Sequence, residues 1–106
     1  SGLGSLTLHN DPNWQYYDVK SGIYGPSKTA LNAYNIVLAY ELKDLPFKVN
    51  VIDPGFTATD FNGHSGPGTV ESAASFIVKH TLTDESAPTG QFFSNDIKEG
   101  SEISPW

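Results

Sequence analysis

The chain has 106 residues and a net charge of −6, from six lysines, no arginine and twelve acids. That balance lacks the basic footprint of a nucleic-acid-binding protein, so nucleic acid is not expected among its partners. The absence of cysteine excludes a disulfide framework and a thiolate zinc site, and no stretch approaches the ~18 apolar residues of a membrane span.

Methionine is also absent, even at position 1, so Ser1 is expected to be a truncation point or processed end. The opening residues have neither a basic segment nor a sustained apolar run, so this stretch is not expected to be a signal peptide. With no Asn-x-Ser/Thr sequon either, the expected location is cytoplasmic. Residues 1–22 are rich in Gly, Ser, Asn, Asp and Pro and read as a long loop with Trp14, Tyr16 and Tyr17 as anchors. From about Tyr24 to Lys43 the apolar residues Ala30, Leu31, Tyr34, Val37, Leu38 and Leu42 recur at spacings of three and four, which predicts one face of an amphipathic helix. Pro26 fits only in its first turn.

Lys48 to Asp53 is β-branched-rich and reads as a strand closed by Pro54-Gly55, and an irregular loop follows from Phe56 to Gly68. Thr69 caps a second predicted helix with apolar positions Ala73, Ala74, Phe76, Ile77 and Leu82. Thr89-Gly90 turns into a short strand, residues 91–94, and the tail from Asp96 to Trp106 is polar except for Ile97, Ile103 and Trp106. Strands alternating with helices predict βαβ connectivity and a parallel sheet, an α/β fold.

Chemistry concentrates in Tyr24-Gly25-Pro26-Ser27-Lys28. On a helix, Tyr24 and Lys28 share one face, and an ammonium near a phenol favours the phenolate, fitting the tyrosine for acid–base work. Chance alone gives about 0.3 Tyr-x-x-x-Lys pairs in such a chain. Tyr16 and Lys20 form a second one, but Ser21-Gly22 breaks any helix that could hold it. His9, His64 and His80 are too scattered for a zinc motif and read as surface residues, so no metal is expected. Asp53 and Asp60 flank the Pro-Gly loop as structural carboxylates, and Ser27 lacks partners for a hydrolase triad.

Tyr24-Gly25-Pro26-Ser27-Lys28-Thr29-Ala30 resembles the signature of the short-chain dehydrogenase/reductase family. Val49 to Thr59 is similar to that family's sixth strand and Pro-Gly-x-x-x-Thr cofactor loop, and Ser1-Gly2-Leu3-Gly4 to the stretch that holds its catalytic serine. Pro88 to Phe93 and the terminal Pro105-Trp106 resemble a carbonyl-reductase-like branch. The resemblance implies that residues 1–106 are the C-terminal, catalytic half of a doubly wound parallel-sheet (Rossmann-type) domain, without its N-terminal dinucleotide-binding portion. It implies hydride transfer between NADP(H), or alternatively NAD(H), and a small carbonyl or alcohol substrate. Tyr24 would be the general acid/base, Lys28 its electrostatic partner and a ligand of the nicotinamide ribose, and Ser1 the holder of the carbonyl, with Ser5 as the alternative serine. Pro54, Gly55, Thr57 and Thr59 would line the cofactor.

Two departures go with the resemblance. The gap from Ser1 to Tyr24 exceeds that of compact members by about ten residues, and the extra loop either walls a substrate pocket or packs on the domain. The Gly-rich turn that grips a pyrophosphate has no match, because neither Gly2-Leu3-Gly4 nor Gly63 to Gly68 follows a strand directly. The isolated chain is therefore expected to be inactive and to expose an apolar face along Val49 and Val51. A homo-oligomer through the long helix of residues 24–43 is a further expectation. The alternative to an enzyme is a non-catalytic module for oligomerisation or protein binding.

Overall fold

The computed structural model describes residues 1–98 and 100–106. In chain order it contains a 3-10 turn at Gly2–Gly4, α1 (Leu6–His9), α2 (Tyr24–Glu41), β1 (Val51–Asp53), a 3-10 turn at Asp60–Asn62, α3 (Val70–Thr81) and β2 (Phe92–Ser94).

The opening 22 residues are more ordered than a loop. The Ser5 hydroxyl accepts from Leu8 N at 3.1 Å, capping α1, and donates to Pro105 O at 2.7 Å. Thr7 N donates to Trp106 O, so the first helical turn and the end of the chain hold each other. Both hydrogen-bonding capacities of the Ser5 side chain are thus engaged, and Ser5 is completely buried. The Ser5 hydroxyl is committed to contacts within the fold. The Tyr16/Lys20 pair is not helical, as the sequence suggested. Lys20 Nζ donates to His9 O at 2.6 Å and lies 4.1 Å from the centre of the Tyr17 ring.

Helix α2 starts where Ser21 Oγ accepts from Tyr24 N at 3.0 Å, and Pro26 occupies its first turn as required. The face turned to the body of the chain is Gly25, Asn32 and Ala39, flanked by half-buried Lys28, Thr29 and Leu38. Thr29 and Asn32 both donate to Gly4 O, at 3.0 and 3.3 Å, which seats the helix on the 3-10 turn. The apolar stripe read from the sequence is split: Leu38 and Leu42 are half-buried, whereas Leu31, Tyr34 and Val37 are 48%, 63% and 55% exposed. Periodicity located a stripe, but a small-residue face makes the close contact.

Strands β1 and β2 are parallel, with Val51, Ile52 and Asp53 opposite Phe92, Phe93 and Ser94, so β1–α3–β2 is a βαβ unit. β1 is shorter than the predicted 48–53, although Val49 O accepts from Gly90 N at 2.7 Å before the strand proper begins. Val49 and Val51 are half-buried, so the apolar face expected along them does not form. Thr69 caps α3 as predicted, accepting from Ser72 N at 3.1 Å. Ala73 and Phe76 of α3 join Phe92 and Phe93 in the core, while Ile77 and Leu82 are exposed. The tail adds a feature that its polar composition concealed. Ser94 N donates to Glu102 O and Ser104 N to Phe92 O, so residues 102–104 run antiparallel along the second edge of β2.

His80 is no surface residue either. It stacks on Phe93 with centroids 4.0 Å apart, and its Nε2 lies 3.1 Å from Glu102 Oε2. His9 packs against Trp14 at 5.6 Å, whereas His64 is exposed and paired with Asp60 at 2.8 Å.

Candidate active site

Helix periodicity makes Tyr24 and Lys28 neighbours on one face. In the structure Lys28 Nζ lies 5.4 Å from the centre of the Tyr24 ring, and both side chains line one cleft. Ser1, Pro54, Gly55 and Thr57 line it too, in a volume of about 700 Å³. Residues from the start of the chain, the first turn of α2 and the exit of β1 thus converge. Parallel strands place such loops together at one end of a sheet, where α/β proteins bind their ligands. Thr59 is the exception. It lies outside this cleft, in an adjoining hollow with Thr69, Val70 and Glu71 at the start of α3.

The Pro54–Thr57 segment is pinned from the neighbouring strand. Buried Asp53 accepts from Ser94 Oγ at 2.8 Å and from Gly55 N at 3.2 Å, and Asn95 Nδ2 donates to Pro54 O at 3.1 Å. These bonds tie the Asp53 carboxylate to both the Pro-Gly turn and β2. Ser1 is partly covered, its hydroxyl accepting from Leu3 N at 3.3 Å and its nitrogen 3.5 Å from Asp53 Oδ1. At Gly55 the backbone has φ +86°, and a Cβ there would come within 3.0 Å of Asp96 Oδ1, so glycine suits this position on both counts.

Sequence reasoning did not single out Asp96, Asn62 or Phe61 as cleft residues, and their spacing carries no signal. Burial and then the nearby Asp53 charge push the Asp96 carboxyl above the usual range. Across the cleft, Tyr16 meets Trp14 and Phe56 edge-on, at 5.4 and 6.4 Å, tying the long opening segment to the Pro-Gly loop. Burial, followed by Asp96 and Asp53, raises the Tyr16 phenol above its ordinary value. The long segment therefore forms a wall of the cleft. Its outer part packs as well: burial and then Lys20 lower the pKa of His9 beneath it.

A parallel βαβ unit whose Tyr/Lys pair shares a cleft with a Pro-Gly loop describes part of a Rossmann-type domain. The comparisons agree. The chain is 41% identical over 70 residues to (−)-isopiperitenone reductase of Mentha piperita, covering 66% of this chain and 22% of that protein. It is 34% identical over 83 residues to short-chain dehydrogenase/reductase 1 of Saponaria officinalis, covering 78% and 25%. The carbonyl reductase Sniffer of D. melanogaster superposes with a TM-score of 0.68 at 29% identity, over 91% of this chain and 36% of that one. No family model matches the chain. The chain belongs to the short-chain dehydrogenase/reductase family, and it spans about a quarter of the length of these curated relatives.

Proposed function

We propose that this chain is the catalytic, C-terminal portion of an NAD(P)-dependent reductase that interconverts a small carbonyl compound and its alcohol. The carrying observation is the placement of Tyr24 and Lys28 on one face of α2, over the cleft that Ser1 and the Pro54–Thr57 loop also line.

The residues fit the nicotinamide end of a dinucleotide. Gly55 keeps the loop free of a side chain, and the cleft volume lies within the range for small-ligand sites. Lys28 and the hydroxyl of Thr57 offer hydrogen bonds to ribose and carboxamide. Thr59, further along the loop, is assigned to the diphosphate beside the start of α3. When bound, the reduced nicotinamide supplies the hydride. Ser1 holds the substrate carbonyl through its hydroxyl. The Tyr24 hydroxyl donates its proton to the carbonyl oxygen in reduction and takes it back in oxidation. The Lys28 ammonium stabilises the negative charge that develops on the Tyr24 oxygen. NADP(H) is the cofactor assigned, with NAD(H) as the alternative, and the site of action is cytoplasmic.

In this reading the segment that grips the rest of the dinucleotide lies outside these 106 residues, and the chain alone turns over no substrate. The exposed Leu31, Tyr34 and Val37 favour self-association through α2. The same surface favours the second reading, a non-catalytic binding module. The full-length protein decides between them. Consumption of reduced dinucleotide with a carbonyl substrate, and a Tyr24→Phe variant whose kcat falls by about 10²–10⁴-fold with dinucleotide affinity kept, are the expected results. Full activity of Tyr24→Phe overturns the assignment, and inertness of the unsubstituted protein toward the dinucleotide favours the module.

A further inference from the structure

The loop that carries Thr57 and Thr59 makes an excursion from residue 59 to residue 67 before returning. At its base, Gly68 N donates to Phe56 O and Ala58 N to Gly68 O, both at 3.0 Å. Within the excursion one side chain makes the decisive contacts. Asn62 Nδ2 donates to Thr57 O at 2.8 Å, and Asn62 Oδ1 accepts from Thr59 N at 3.0 Å. A carboxamide has a donor and an acceptor on one planar group, so it can satisfy a carbonyl and an N–H two residues apart at once. An ionised carboxylate accepts only. Asn62 itself is half-buried and lines the cleft, while its neighbour Phe61 is fully exposed on the rim.

The bond pattern separates the two threonines. Thr57 Oγ1 donates back to Gly55 O at 3.1 Å, which keeps Thr57 over the Pro-Gly turn in the cleft. Thr59 faces the hollow at the start of α3, its carbonyl accepting from Asn62 N and His64 N. The Asn62 amide spans the step between them. Without it, Thr57 O and Thr59 N lose these partners, and only backbone bonds, at the base and to Thr59 O, still hold the excursion.

We propose that Asn62 is a positioning residue, whose side-chain amide fixes the Thr57–Thr59 segment in the shape that receives the dinucleotide. The inference rests on the reductase reading and assigns within it a role to a residue outside the Tyr/Lys pair. Asn62 acts through the loop and moves no proton.

The test uses the full-length protein, with reduced dinucleotide binding followed by nicotinamide fluorescence. Asn62→Ala is expected to weaken dinucleotide binding about tenfold, the scale of one or two net hydrogen bonds, with the carbonyl KM and the melting temperature little changed. Asn62→Asp is expected to match Asn62→Ala at neutral pH. Its affinity relative to the unsubstituted protein then recovers as pH falls toward the ordinary Asp value of about 4, where a protonated acid again donates to Thr57 O. Binding by Asn62→Ala within about twofold of the unsubstituted protein overturns the role, as does an Asp variant with no recovery on acidification. A melting temperature that falls in step with affinity overturns it in favour of a purely structural residue. Failure of the unsubstituted protein to bind dinucleotide is a separate result, which removes the reductase reading and this inference together.

Discussion

Two glycines in the same loop region separate backbone conformation from close approach. Gly55 has φ +86° and Gly63 φ +65°, so an alanine at either meets a left-handed backbone, which costs about 1–2 kcal/mol. Around Gly63 nothing lies within 4 Å of an added Cβ, and the backbone penalty is the whole effect. At Gly55 the added Cβ meets Asp96 Oδ1 at 3.0 Å and the Asn95 Cβ at 3.7 Å. To admit this Cβ, Asp96 Oδ1 would have to give by a few tenths of an ångström. Overpacking of this kind adds roughly 1–3 kcal/mol. Gly55→Ala is therefore expected to cost about 2–5 kcal/mol and Gly63→Ala about 1–2 kcal/mol. Urea titration of the two variants, with unchanged m-values, reads the difference as separate midpoints. Because Gly55 sits in the cleft and Gly63 does not, only the first should also weaken dinucleotide binding. Coincident midpoints for the two variants would falsify the close-contact argument.

Phe92 is fully buried, with its ring 5.5 Å from that of Trp106, and Phe92→Ala is expected to cost about 3–5 kcal/mol in the same titration. Hydrogen bonds from Lys79 and His80 hold the Glu102 carboxyl below its ordinary value of 4.5. A carboxyl with a depressed folded-state pKa stabilises above its unfolded value and loses that contribution as pH falls through the folded one. Glu102→Gln is therefore less stable than the unsubstituted protein at neutral pH, and the two converge in acid. A gap that persists at low pH would show that the contribution is not ionic.

The local chemistry of the chain is written in its residue types. Helix α2 follows from helix formers such as Ala, Leu and Glu with Pro26 confined to the first turn, and α3 begins after Thr69 because a threonine hydroxyl can cap it. The four-residue spacing already places Tyr24 and Lys28 on one face, and the Pro54-Gly55 turn is where β1 must stop. These are short-range facts, set by backbone sterics and hydrogen bonds within a few residues.

Other features depend on contacts between distant parts of the chain, which no local pattern reports. Ser5 and Ser1 look alike in sequence, yet Ser5 is consumed by Leu8 N and Pro105 O, a partner one hundred positions away. The polar tail pairs with β2 through an isolated antiparallel bridge, because β2 leaves backbone donors and acceptors for residues 102–104 to fill. Likewise the buried side of α2 is the face with Gly25, Asn32 and Ala39, since small residues let it sit on Gly4 more closely than Leu31 or Tyr34 could. Sequence thus determined which groups could do chemistry, and the tertiary structure decided which were left facing the cleft, because burial and hydrogen bonding across the chain are settled only when its distant segments meet.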